Sequence, residues 1–393
     1  MFESKKRYST EVKLPKELLY GALHEALKKI DINTKTFINQ FPRPCSVNYI
    51  YPGILNGGEW DDWTSGFWTG ILWLAYEITM EERYKKLALF QIKSYDERIT
   101  NKIAVNHHDL GFLYIPSAVA AYKITGNERA KSAALKAAEH LTGRFKEKGG
   151  FIQAWGDLDD PNSYRLIIDC NLNIPLLFWA SEVTNDNKYR EMAEKHINAA
   201  ANVVVRENGS THHTYYFDPK TGNPTKGVTA QGANDNSAWA RGQAWGVYGF
   251  ALAYSYLKEE KFIHLYKKVT NYFLDHLPSD NIAYWDLIYD DSSNEERDTS
   301  AVAIALCGML EMHKYLPDSD EDKKIYSNAI NSIMKSLIEK YTTKYIEHSN
   351  GLLTDAVYSK PAGSGVNECC IWGDYFYMEA LVRMMKDEWV KYW

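Results

Sequence analysis

One pattern recurs along this chain and leaves few folds open to it. A helix rich in aromatic and small residues runs into a short polar turn, and a charged amphipathic helix follows. The joints are Ala75-Tyr76-Glu77-Ile78-Thr79 before Glu82-Arg83-Tyr84, and Ala121-Tyr122-Lys123-Ile124-Thr125 before Glu128-Arg129-Ala130. The next are Ala180-Ser181-Glu182-Val183-Thr184 before Asn187-Lys188-Tyr189, and Ala253-Tyr254-Ser255-Tyr256-Leu257 before Glu260-Lys261-Phe262. Met312-His313-Lys314-Tyr315-Leu316 before Asp322-Lys323-Lys324 is a looser copy. The joints recur at roughly 45 to 75 residues, long for a solenoid repeat but suited to helix pairs with variable loops. Helices over Lys16 to Ile30 and about Trp372 to Lys386 complete six hairpins, the count that closes an α/α toroid. The expectation is an all-α single domain over residues 1–393, with the apolar helix of each pair inside and the charged one outside.

In such a toroid the inner helices run the same way, so their N-termini share one end. The unusual residues fall just before those helices: Trp60-Asp61-Asp62-Trp63, Asp109, Asp169, Asp235 to Arg241, Arg297-Asp298 and Trp372-Gly373-Asp374. Ordinary N-capping accounts for some of the acids, but not for the Trp, Arg and His beside them. An aromatic run at Thr214-Tyr215-Tyr216-Phe217, a turn cluster, and a return through Gly227 to Gln231 predict a small β-hairpin insertion near 212–231 over the same end.

Asp169 is the most constrained of these acids, since Leu166-Ile167-Ile168 precede it and Leu172, Ile174 and Leu176 follow. A carboxyl group among apolar neighbours is protonated, paired or in use. Pro175 marks a first helical turn, with Asn171 or Asn173 as the cap. His108-Asp109-Leu110-Gly111-Phe112, upstream of Pro116, copies the arrangement, so two acids are expected to face one cavity.

Composition narrows the chemistry. A formal charge of -6 and the lack of a basic cluster give no reason to expect nucleic acid. No run is long or apolar enough to span a membrane, and no secretion signal follows Met1. Five cysteines, two of them adjacent (Cys369 and Cys370), lack metal-type spacing and read as reduced cytoplasmic thiols. His107-His108 and His212-His213 are adjacent pairs whose side chains diverge, so no metal and no cofactor is expected. No phosphate loop, serine elbow or cysteine nucleophile motif is present. What is left is carboxylate chemistry on a carbohydrate. Aromatic residues, 14% of the chain, supply stacking platforms, with Trp63, Trp155, Trp239 and Trp245 as candidates. Arg241, in an otherwise uncharged inner helix, needs an anion: Asp109, Asp235 or a substrate carboxylate.

At His108 to Phe112, Ile168-Asp169, His213-Thr214-Tyr215, Ser237 to Gly246 and Trp372 to Phe376, the chain resembles the unsaturated glucuronyl hydrolases, glycoside hydrolase family 88. The resemblance implies an (α/α)6 barrel acting on oligosaccharides with a 4,5-unsaturated uronic acid at the non-reducing end, the products of glycosaminoglycan lyases. It implies Asp169 as general acid/base and Asp109 as its partner. Trp63, His108, Trp155, His213, Gln231, Arg241, Trp245 and Tyr358 are implied as substrate contacts, with Ser359 and Ser364 in the last loop. Members favouring sulfated sugars carry Ser-x-x-Ser-x-Lys in that loop. Here Ser359, Ala362 and Ser364 stand there, so a weak sulfate preference is expected, with Lys360 as a partial substitute. The rival readings are an unsaturated rhamnogalacturonyl hydrolase on pectin fragments, a sugar 2-epimerase using His108 and His213, and a non-catalytic sugar binder. No pattern in the chain sets an oligomeric state.

Overall fold

The computed structural model describes residues 3–58 and 62–393, so Trp60 and Asp61 lie outside the described residues. Six inner helical segments close a ring. Ser65–Thr79 packs on the segment Leu110–Tyr114, Ile115–Val119 and Ala120–Thr125; next come Pro175–Thr184, Ala240–Leu257 and Thr299–His313. Ile371–Met385 then returns to Ser65–Thr79. Outside them lie Lys16–Thr36, Glu82–Thr100, Glu128–Thr142, Asn187–Val203, Glu260–Asp275 and Glu321–Lys340. The fold is an (α/α)6 barrel.

The inner helices are buried around most of their circumference. In Ala240–Leu257 every residue from Ala240 to Ala253 is buried, whereas Asn187–Val203 buries only Tyr189, Ala193, His196, Ile197 and Ala200. Such tight rings need residues without side chains where helices meet. A Cβ added to Gly66 would sit 2.3 Å from the Phe112 carbonyl oxygen on the next inner segment. Three of the outer helices start on polar caps: Asn127, Asp186 and Asp320 each accept a hydrogen bond from a backbone N–H in the first turn.

Two helices depart from expectation. The N-terminal helix runs on to Thr36, past Ile30, because Asn33 is buried and donates to the Asn350 carbonyl at 2.7 Å, a contact no local pattern reveals. The helix after Asp109 starts at Leu110 rather than at Pro116. Pro116 lies inside it, where a π-type turn over Ile115–Val119 accommodates the missing N–H.

The insertion is a hairpin of Thr214–Phe217 and Pro224–Val228, and Arg165–Ile167 joins it as a third strand. That added strand leads directly into Asp169. The last loop is itself a hairpin, Ala356–Ser359 against Ser364–Glu368. No described helix is long and apolar enough to cross a membrane.

Candidate active site

At the N-terminal end of the inner helices lies a cleft of about 1210 Å³. Ten of the predicted site residues line it: Trp63, His108, Asp109, Trp155, Asp169, His213, Gln231, Arg241, Trp245 and Tyr358. Ser359 and Ser364 do not. They are register partners across the last hairpin and stand outside the lining.

Asp109 and Asp169 reach the cleft by different routes. Asp109 immediately precedes its helix without capping it. Asp169 sits in a 3-10 turn, Ile168–Leu172, between the strand Arg165–Ile167 and the helix that starts at Pro175. Neither Asn171 nor Asn173 caps that helix, since Ile174 occupies the cap position. Asn173 reaches across instead: its side-chain oxygen accepts from Phe112 N–H at 2.9 Å, and its amide donates to Asp109 Oδ1 at 3.2 Å. This crossing requires Gly111, where a Cβ would lie 2.3 Å from Asn173 Cα.

His108 Nε2 lies 3.4 Å from Asp109 Oδ1 and 3.5 Å from Asp169 Oδ1. One ligand-type atom from each of the three residues falls within 4.8 Å of the others. Among the described residues this trio of His108, the adjacent Asp109 and the distant Asp169 has the spacing to hold a cation, which neither adjacent histidine pair has. Burial pushes Asp169 well above the ordinary carboxylate pKa, and the charge of Asp109 adds to the shift, against a smaller opposing effect of Arg241. Asp169 Oδ1 is buried without a hydrogen-bond partner. Burial acts on Asp109 as well, but His108, His107 and Asn173 outweigh it and hold Asp109 below its usual value. Burial, aided by the Arg144 charge, lowers the His108 pKa to about 4, so its imidazole is neutral near pH 7.

Arg241 does not meet Asp109 or Asp235. Its guanidinium lies 3.3 Å from Asp298, at the start of the neighbouring inner helix, and donates to Gln231 Oε1 and the Tyr358 carbonyl, both at 2.7 Å. The Trp239 and Trp372 rings flank it at 4.4 and 4.9 Å. His213 Nδ1 accepts from Ala230 N–H at 3.1 Å, leaving Nε2 to carry the proton. Trp63 donates to the Tyr358 hydroxyl at 3.0 Å, and Trp245 is fully buried beneath Phe112. Trp155, at 39% exposure, is the open platform, with the Arg165 guanidinium 4.8 Å from its ring.

Other acids of this end have structural partners. Asp62 accepts from Thr64 and Ser65 N–H and pairs with Arg98 at 3.0 Å. Asp374, inside its helix, caps nothing and instead holds a loop, accepting from Leu352 and Leu353 N–H and from Tyr51. Asp109 makes no side-chain cap bond, and Asp169 Oδ1 has no hydrogen-bond partner.

The family model for Glycosyl Hydrolase Family 88 matches residues 30–386. The chain belongs to that family. A family 88 fold agrees with the solved structures: the unsaturated glucuronyl hydrolase of Streptococcus agalactiae is 50% identical, with a TM-score of 0.97 covering 100% of this chain and 98% of that one. The unsaturated chondroitin disaccharide hydrolase of Streptococcus pneumoniae is 49% identical over 100% of this chain and 98% of its own length. The unsaturated glucuronyl hydrolase of Bacillus sp. (strain GL1) is 40% identical over 92% and 96%. An Asp-to-Asn mutant of the S. agalactiae enzyme, solved in complex with dGlcA-GalNAc6S, is 47% identical over 100% of this chain and 97% of that one, with a TM-score of 0.89. This family 88 chain is therefore a glycoside hydrolase. Asn173, read from the sequence as a helix cap, and His107, read only as half of a histidine pair, both contact Asp109 instead, the His107 ring accepting from Asp109 N–H at 3.1 Å.

Proposed function

We propose that this chain removes the 4,5-unsaturated uronic acid from the non-reducing end of glycosaminoglycan lyase products. Its active unit is one barrel over residues 1–393, and its five free cysteines fit a reducing, cytoplasmic setting. One observation carries the reading. Asp169, a largely buried carboxyl whose pKa is raised by burial and by a second carboxylate, stands in a cleft walled by tryptophans.

Protonated Asp169 delivers its proton to C4 of the C4=C5–O5 enol ether. Positive charge develops on C5 and the ring oxygen, and the nearby Asp109 carboxylate stabilises it. The Asp169 carboxylate then takes a proton from water attacking C5. The resulting hemiketal opens and the leaving sugar is released, with no direct attack at the anomeric carbon. The carboxylate-separation rule of ordinary glycosidases therefore does not apply. His213, Gln231, Arg241 and Tyr358 hold the sugar, and Trp63 and Trp155 stack on it. Lys360 is a poor substitute for the missing loop lysine, because its ammonium is paired with Glu296.

The test is spectrophotometric. Enzyme added to unsaturated chondroitin disaccharides should erase the ultraviolet band of the conjugated alkene. A band that persists across a panel of glycosaminoglycan and pectin lyase products overturns the proposal; loss on pectin fragments alone favours the rhamnogalacturonyl reading.

A further inference from the structure

The terminal uronic acid of an exo-acting enzyme must occupy the deep end of its cleft, and the leaving sugar must point towards the mouth. The deep end is built from His108 and Trp245, both fully buried. The mouth continues past Asn106 and His140 into an adjoining hollow of about 600 Å³. Lys102 lines both spaces and is exposed.

The turn that carries Lys102 is built at some expense. Lys102 and Ala104 both adopt left-handed backbone conformations, with φ of 54° and 46°, which non-glycine residues avoid. Such strain persists only where the surroundings over-determine it. Here Arg98, fully buried, donates to the Ile103 carbonyl at 3.1 Å and the Ala104 carbonyl at 2.6 Å while pairing with Asp62. The clamp holds the turn against the cleft rim.

The other cations here are already committed. Arg241 meets Asp298, Gln231 and backbone carbonyls. Arg144 donates to Asn106, Gln153 and Gly156, and Lys136 pairs with Asp96. Among the described residues, Lys102 has no ion pair and no side-chain hydrogen bond. Its charge reaches the site: after burial itself, Lys102 is the largest influence lowering the His140 pKa. Asp157, on the same lining, keeps the mouth from being uniformly positive, so an anion gains only by reaching Lys102 itself.

We propose that Lys102 determines specificity at the leaving-group end of the cleft by binding an anionic substituent, either a sulfate ester on the leaving sugar or the carboxylate of the next uronate in a longer chain. This rests on the hydrolase reading above and adds a cation that compensates for the altered last loop.

The test compares wild type, Lys102→Ala, Lys102→Gln and Lys102→Arg on three unsaturated chondroitin substrates: the unsulfated disaccharide, a sulfated disaccharide and the unsulfated tetrasaccharide. Removing the charge should raise the KM for an anion-bearing substrate about five- to ten-fold relative to the unsulfated disaccharide, with the relative kcat values kept. Lys102→Arg should restore most of the difference, and added salt should narrow it in wild type. A shift confined to the sulfated disaccharide identifies the sulfate ester; one confined to the tetrasaccharide identifies the carboxylate; a shift in both supports both. Unchanged KM ratios in Lys102→Ala and Lys102→Gln overturn the assignment. A wild type inert on all three substrates overturns the hydrolase reading instead, so the two failures are distinguishable.

Discussion

Glu311 and Asp169, at opposite ends of the barrel, bury a carboxyl group in opposite ways. At the end away from the cleft, Arg383 lies 2.8 Å from Glu311 and 2.9 Å from Glu379, and donates to Tyr248 at 2.7 Å. Trp393 closes that end, stacking on Phe376 and donating to Glu379 at 2.8 Å. Burial disfavours the Glu311 charge, but Arg383, Lys391 and Lys314 outweigh it and hold the carboxyl below its ordinary value. At the cleft end, Asp169 has no cation within hydrogen-bonding reach, and burial with Asp109 drives its pKa up. Partners cancel the desolvation of Glu311 and leave it standing at Asp169, while Asp62 and Asp298, also at the cleft end, have arginine partners. The paired Glu311 fits a structural role, and the raised Asp169 fits the general acid proposed above.

The largest test of this contrast is Asp169→Asn. It should cut kcat by about a thousand-fold or more, the upper range for a general acid, while the folded protein still binds substrate. Near-normal turnover would break the comparison at its functional end.

Arg383→Met attacks the other end. It leaves Glu311 and Glu379 with less compensation and should cost about 3–5 kcal/mol in urea unfolding. The kcat of the folded fraction should stay within about two-fold of wild type, since the change lies far from the proton.

The pH slopes of stability should oppose each other. Glu311, with a lowered folded-state pKa, contributes stability that is present above its unfolded value and lost as pH falls through the folded one. Asp169, with a raised pKa, contributes stability that is present below the unfolded carboxyl value and lost as pH rises through the folded one. Asp169→Asn should therefore gain stability relative to wild type as pH rises, and wild-type kcat should fall over the same alkaline limb. Urea midpoints for the two proteins at pH 5 and pH 8 check the sign. A constant difference would show that Asp169 is not perturbed.

The smallest effect belongs to Trp155→Ala. This platform is 39% exposed, so stability should change by less than about 1 kcal/mol while KM rises several-fold. A thermal shift larger than the kinetic one would make Trp155 a packing residue.

Much of this was legible in the chain. The apolar neighbours of Asp169 foretold its desolvation, and the recurring aromatic and charged helices foretold the ring that carries it. Pro116 misled, because a π-type turn can seat a proline inside a helix. Arg241 showed that it needed an anion but not that Asp298, 57 residues away, would supply it. Ser359 matched the first position of a loop pattern and Ser364 stood at its Lys position, yet both lie off the cleft lining, across the hairpin from each other.

The sequence by itself determined the helical period, the six pairs and which carboxyl groups would be costly to bury, because these depend on side-chain polarity at short range. Only the tertiary structure decided which charges meet. Asp109 and Asp169 share His108, Arg241 finds Asp298, and Arg98 clamps the turn of Lys102, because ring closure sets those distances through space rather than along the chain.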